Sequence, residues 1–422
     1  MLRNQETQAA VVLYCLLMLL FITMATLNPT AYIWLTYEDL LGEWSQVFLF
    51  LAALLLSLVL AVRRKKYSPF FTLLTLACLY VVGEEISWGQ RLLNLNTPVF
   101  FQQHNLQQET NLHNFITGPF DTALKQAIEI VLASALITFS TLYAHPISDR
   151  LPVLGGMKRW VPPPPGYLWP YFCTAALFEL RIFRFNEAEL AEILIAAGLV
   201  FYTFHHLFKQ EHTLATRPRR KALAAVFAFA VVGAMVTTGL CYNTPRLHEE
   251  MNARIDNGMS KFADRYGRYG QWQHSRHLYM KLLEKRPNSV VLLQRLAYAE
   301  KKLGHDFQAT QALTEAIRLD MRRYSREPGD IAVNLSLAKS FIILGNEERQ
   351  SFHLQQALDY GLRRVRLEPA NANALYWLGR AYLSSGDTDK AVEQFQQATL
   401  LDPTVYRFQR ALHEARLKDR SA

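Results

Sequence analysis

Up to about Tyr242 the apolar residues come in long runs with few charges; beyond it they recur at helical spacing among charged ones. Seven of the runs are long enough to cross a bilayer, given that its ~30 Å hydrocarbon core takes about 20 helical residues. They fall near 11–27, 44–62, 68–90, 123–143, 167–184, 189–208 and 222–242. The pattern predicts an all-α chain, with a seven-span transmembrane helical domain over 1–245 and a second helical domain over 246–422. The mean hydropathy of +0.01 averages two different materials.

Orientation follows from the loops. The first run has the length of a signal sequence, but no A-x-A cleavage pattern follows it, so it reads as a retained anchor. Basic residues gather in alternate loops: Arg63, Arg64, Lys65 and Lys66; then Arg150, Lys158 and Arg159; then Lys209, Arg217, Arg219, Arg220 and Lys221. Such loops face the cytoplasm, which places the N-terminus there too. An odd number of spans puts residues 246–422 outside, in the periplasm of a bacterium whose inner membrane holds the spans. The run Val161-Pro-Pro-Pro-Pro-Gly166 is a stiff connector on the cytoplasmic side.

The second half repeats itself. Its clearest unit starts at Ala372 and carries Leu378, Gly379, Tyr382, Gly386, Ala391, Phe395, Ala398 and Pro403. The small residues let two antiparallel helices cross closely, and the large ones fill the seam. Going back, with an insertion of about seven residues, a unit carries Ala338, Phe341, Gly345, Ala357 and Pro369. A further unit carries Ala297, Gly304, Ala309, Leu313 and Ala316, and the first carries Ala263, Tyr266, Gly270, Tyr279 and Pro287. The segment after Pro403 reads as a capping helix. On these residues the stretch 256–405 resembles the tetratricopeptide-repeat (TPR) superfamily. The resemblance implies a TPR α-solenoid whose concave face binds a protein or peptide, without catalysis. It thins in the first unit, where Ser275 replaces the usual Ala, and an extra loop is expected at 322–330.

Charge narrows the partners. Of a net +9, residues from Arg246 onward carry +7. A mildly basic domain suits membrane lipids with anionic headgroups or an acidic protein; no basic-aromatic pattern points to nucleic acid. Cys15, Cys78, Cys173 and Cys241 all lie in or beside apolar runs, with no CxxC or zinc spacing, and read as packing residues.

The chemistry candidates sit at the end of the third run, in Gly83-Glu84-Glu85-Ile86-Ser87-Trp88-Gly89-Gln90-Arg91. An acidic side chain costs roughly 2.5–3.5 kcal/mol at a span's centre and less near its ends, so a pair of them marks a place of interest. The polar loop that follows holds His104, Glu109 and His113. Together with Asn111-Leu-His-Asn114, the phrase resembles one that recurs in bacterial polytopic membrane proteins, which implies a membrane family and names no substrate. One reading is a divalent metal site held by Glu85, His104, Glu109 and His113, oxygen and imidazole donors of which the last two stand four apart. Glu84 or Glu85 would then act as catalytic general base on a metal-bound water. The other reading is a polar re-entrant loop in which Glu84 or Glu85 pairs with Arg91, Arg181 or Arg184.

Of the pair, Glu85 is expected to face inward and Glu84, sharing a face with Trp88, to lean toward the interface. Glu129, Glu179, Glu187, Glu189 and Glu192 join them at the outer ends of the spans, an acidic surplus that a bound cation or protonation would relieve. Asn186 reads as an N-cap with Glu189 at the capping-box position, and His205 and His206 as interfacial residues at the opposite end. Two functions fit: an envelope-associated scaffold presenting a TPR platform, or a membrane-embedded metal-assisted hydrolase or transferase on a lipid-linked substrate. Neither a Ser/His/Asp arrangement around Ser87 nor a Gly-rich phosphate loop is present.

Overall fold

The structure is a computed structural model that describes residues 2–90, 95–104, 110–112, 123–209 and 216–419. Every regular element among them is helical. The chain divides into two compact units, Met1–Gly258 and Met259–Ala422.

The first unit contains α1 (Leu2–Leu27), α2 (Pro29–Thr36), α3 (Leu41–Arg63), α4 (Ser68–Glu85), α5 (Val99–His104), α6 (Ala123–Thr138), α7 (Pro152–Met157), α8 (Trp169–Glu179), α9 (Glu187–Phe208), α10 (Thr216–Asn243) and most of α11 (Pro245–Arg268). Six stretches among the described residues are long and apolar enough to cross a membrane: Gln5–Leu27, Pro29–Arg63, Lys65–Glu85, Leu124–Tyr143, Glu187–Phe208 and Arg219–Asn243. The run expected at 167–184 contains only the 11-residue α8, about 16 Å long at ~1.5 Å per residue. Beyond α8 the backbone turns left-handed at Arg181 and Arg184, which ends the helix.

Helix α9 is the most enclosed of the six. Ala191, Ala196, Ala197 and Gly198 keep its surface low, and a Cβ on Gly198 would sit 3.0 Å from the Phe172 ring of α8. Helix α3 packs along α4, α9 and α10. Near the C-terminal end of α9 the polyproline connector is held by three rings. Tyr143 Oη donates to the Val161 carbonyl (2.6 Å), Tyr202 Oη to Pro162 (2.7 Å) and His206 Nε2 to Pro163 (3.2 Å). A proline run has no N–H groups with which to satisfy its carbonyls, so the donors come from elsewhere. His206 is therefore buried rather than interfacial, while His205 pairs with Glu6 (3.1 Å).

The second unit continues through α12 (Trp272–Lys285), α13 (Val290–Lys302), α14 (Asp306–Tyr324), α15 (Ile331–Leu344), α16 (Glu347–Leu367), α17 (Ala372–Ser385), α18 (Thr388–Leu401) and α19 (Tyr406–Asp419). Gly270, Gly304, Gly345 and Gly386 are all left-handed, with φ of 73°, 78°, 80° and 89°. Each follows the first helix of a pair, where a left-handed residue closes the last turn at no steric cost. They stand 34, 41 and 41 residues apart, so the two middle units carry seven extra residues each. Those residues are mostly helix. Helices α14 and α16 have 19 and 21 residues against 14 in α18. The expected loop at 322–330 shortens to 325–330, because Met321 stands where the last unit has Pro403 and α14 runs on to Tyr324.

Side chains fix the remaining ends. Asp330 caps α15 through the amides of Ala332 (2.8 Å) and Val333 (3.2 Å), and Asn371 caps α17 through Asn373 (3.0 Å) and Ala374 (3.1 Å). In the last unit Ala391, Phe395 and Ala398 are fully buried. A Cβ on Gly379 would lie 2.7 Å from the Phe395 ring, which is why the position takes glycine.

Candidate functional site

Helix α4 ends at Glu85, and the chain then passes through Ser87, Trp88 and Gly89, all left-handed (φ 47°, 52° and 82°). A non-glycine residue held there costs about 1–3 kcal/mol, so the surroundings must hold the turn in place. They do so through Trp88. Its indole folds back over α4, with Nε1–H donating to Glu84 Oε1 (2.8 Å). The ring rests on Gly83, where a Cβ would lie 2.9 Å from three of its atoms. The second oxygen of Glu84 accepts the Leu112 amide (2.6 Å), and Gln90 Oε1 accepts that of Thr110 (2.7 Å). The two phrases singled out in the sequence thus meet, with Glu84 as the clamp between them. Glu84 is buried, 6% exposed, rather than facing the interface. The i+4 spacing put it on the face of Trp88; the left-handed turn and the segment 110–112, which spacing does not reveal, account for its burial.

Glu85 ends α4 within reach of the side chain of Gln46 on α3. Gln46 is 1% exposed, and its Nε2 donates to Glu192 Oε2 of α9 (2.8 Å). Glu43, Glu179 and Glu189 lie within electrostatic reach of Glu85 or Glu192. The Glu43 carboxylate also accepts the Asp39 amide. Among the described residues, Arg254 and Arg181 act on the layer, and both have partners: Arg254 with Glu38 (2.7 Å) and Asp39 (2.5 Å), and Arg181 with Glu129 (3.2 Å). A cavity of about 30 Å³ opens beside it, lined by Asp39, Trp44, Glu85 and Glu250 among others.

Capping of α9 differs from expectation. Asn186 is left-handed (φ 62°) and its side chain caps nothing; Nδ2 donates instead to the Thr36 carbonyl (2.8 Å). Glu187, the first residue of α9, instead ties down the turn before the helix, accepting the amides of Phe183 (2.6 Å), Arg184 (2.8 Å) and Phe185 (2.5 Å). A carboxylate in the first turn of a helix is also favoured by the helix dipole.

Of the proposed metal ligands, Glu85 belongs to the layer just described. His104 ends α5, but its side chain, together with Glu109 and His113, lies outside the described residues, as does Arg91. Among the described residues no three His, Cys, Asp or Glu side chains converge as a metal-ligand set. Glu43 and Gln46 were not singled out in the sequence. Their signal was a spacing of three within an apolar run, which places both on one helix face.

In the second unit, Arg295, Lys339 and Arg380 stand on α13, α15 and α17, the first helices of successive pairs. Arg295 pairs with Asp264 (2.9 Å), and Lys339 lies within electrostatic reach of both arginines. Burial first, and then Arg295, pull its ammonium below the usual lysine pKa.

The fourth unit, residues 372–405, matches the family model of the tetratricopeptide repeat. Among solved structures, a thermophilic TPR protein from Thermus thermophilus is similar at 23% identity over 39% of this chain and 82% of its own, with a TM-score of 0.23. A structure of the MamA protein is similar at 21% identity over 38% of this chain and 80% of its own, with a TM-score of 0.18. At such TM-scores nothing further rests on these likenesses. No curated protein matches the chain.

Proposed function

We propose that the chain is an integral membrane scaffold of the bacterial envelope, whose C-terminal solenoid recruits a protein or peptide. The observation that carries this is the recurrence of the left-handed glycine in four successive helix pairs, the last of them a TPR. TPR units bind proteins and have no catalytic machinery of their own. Arg295, Lys339 and Arg380 line up along the first helices, so the partner is one that presents carboxylates to the concave face.

We place the solenoid outside, after seven crossings with the N-terminus in the cytoplasm. The short α8 is the crossing in question. Pro163 is tied to His206 near one end of α9, and Phe183, Arg184 and Phe185 to Glu187 at the other. The chain from 163 to 185 therefore runs back along some 28 Å of α9 at ~1.5 Å per residue, which supports counting it as a span. A periplasm-dependent phosphatase fused after Ala422 is expected to be active, and one fused after Lys66 inactive; the same result from both would refute the topology. For the platform, proteins that co-purify with the wild type in detergent are expected to be lost from a Lys339→Glu, Arg380→Glu double variant of unchanged abundance. Their full retention would refute the concave face as the binding surface.

A further inference from the structure

The connector between α6 and α8 is tied down at both ends. Ser148 Oγ donates to the Tyr143 carbonyl (3.2 Å), and Tyr143 Oη donates to the Val161 carbonyl (2.6 Å), so both legs of 144–161 hang on one residue. That residue ends the apolar stretch Leu124–Tyr143. Pro162 and Pro163 are tied in turn to Tyr202 and His206, near the end of Glu187–Phe208. Residues 144–163 are therefore held where two membrane-length helices end, the level at which hydrocarbon gives way to headgroups.

The surface held there is apolar. Ile147, Leu151, Val153, Met157 and Trp160 are all exposed, Val153 by 74% and Trp160 by 65%. Helix α7 is turned so as to present two of them. Gly155 is its inward residue, since a Cβ there would lie 3.1 Å from the Asp149 carbonyl oxygen. Val153 and Met157 stand two residues to either side, about 200° round the helix and so on the opposite face. The charge is one-sided as well. Asp149 is the one acidic residue between Ala144 and Leu168, and Lys158 takes it up (2.8 Å). Arg150 and Arg159 are exposed and have no acidic partner among the described residues. Arg64 bonds the carbonyls of His206 (2.8 Å) and Leu207 (3.2 Å), which brings the basic run 63–66 to the same end of the unit.

We propose that residues 146–160 form an interfacial anchor that lies along the bilayer surface and gathers anionic phospholipid. Leu151, Val153, Met157 and Trp160 enter the boundary between headgroups and acyl chains, the depth that amphipathic segments reach and that Trp prefers. Arg150 and Arg159 meet the headgroup phosphates, while Lys158 stays with Asp149. The anchor rests on the membrane placement of the first unit. It depends neither on the side of the membrane the connector occupies nor on the solenoid's role.

The test uses the full-length protein in nanodiscs made of equal parts phosphatidylcholine and phosphatidylglycerol. Val153→p-benzoylphenylalanine is irradiated, and the phospholipids joined to it are identified by mass. Val131→p-benzoylphenylalanine is the benchmark, because Val131 is 68% exposed in the middle of α6. Both positions are expected to yield lipid adducts. Those at Val153 should favour phosphatidylglycerol by about fivefold for each arginine engaged, the equivalent of ~1 kcal/mol per basic residue at an anionic surface. In the double variant Arg150→Gln, Arg159→Gln, which changes only exposed side chains, that preference should fall toward the ratio at Val131. Adducts at Val131 with none at Val153, or only cross-links to the protein itself, refute the anchor and leave the membrane placement standing. No lipid adduct at either position overturns both. A phosphatidylglycerol preference unchanged by loss of both arginines refutes their part in it.

Discussion

Phe395→Ala tests whether the second unit is a solenoid in the energetic sense. Phe395 is fully buried, its ring pressed where a Gly379 Cβ would stand 2.7 Å away and 5.9 Å from the Tyr376 ring. Its neighbours on the same helix, Ala391 and Ala398, are too small to fill the space. A Phe→Ala change at such a site costs about 3–5 kcal/mol. In a domain with one cooperative core, that loss would weaken every amide alike. Stacked repeats interact only with their neighbours, so here it should stay local. Hydrogen exchange of the full-length protein in detergent, read by mass spectrometry, separates the two cases. Protection in Ala372–Ser385, Thr388–Leu401 and Tyr406–Asp419 should fall by about 10²- to 10³-fold, with Val290–Lys302 and Asp306–Tyr324 unchanged. A uniform loss across both regions, or less than tenfold in the last unit, would refute the argument.

Two further predictions concern single side chains. Glu84→Ala removes the acceptor of both the Trp88 and Leu112 N–H groups; at roughly 1.5–3 kcal/mol per hydrogen bond to a charged group, the purified protein should unfold several degrees earlier. An unchanged Tm would show that the clamp holds nothing. His353, buried against Phe341 and bonded to Asn334 Oδ1 (2.9 Å), has its pKa lowered, chiefly by burial and then by Arg349. The unfolded chain then takes up a proton near pH 6.5 that the folded one resists, so the solenoid should lose stability as pH falls below about 6.5. Urea unfolding at pH 7.5 and 5.5 should show that loss in the wild type and a smaller one in His353→Gln; a wild type more stable at 5.5 would contradict it.

The repeat was legible where each position carries its usual residue. From Leu378 to Pro403 small and large residues alternate as close helix crossing demands, and the matched family model covers this same unit. The middle units were legible as repeats but not in shape. Losing proline at Met321 changes one letter, yet it turns the start of a loop into helix. At the carboxylate layer, spacing placed Glu84 on the face of Trp88 but assigned it to the interface; neither its hydrogen bond to Trp88 nor its burial followed from that. Nor did it predict the bond from Gln46 to Glu192, because those two side chains come from helices far apart in the chain. It also did not predict Glu187 holding the turn before α9, which depends on three left-handed residues that only the folded turn displays.

The seven residues added to each middle unit have a mechanical meaning. At about 100° per residue, seven advance a helix by 700°, within 20° of two complete turns. A helix lengthened by that amount presents almost the same stripe to its neighbour, only further along. The increment is thus a phase-neutral one, and it falls after Ala316 and Ala357, which pack at the same point of their units as Ala398, so α14 and α16 outgrow α18 only beyond that crossing. An insertion of five would turn the stripe by about 140° and bring polar residues into the seam.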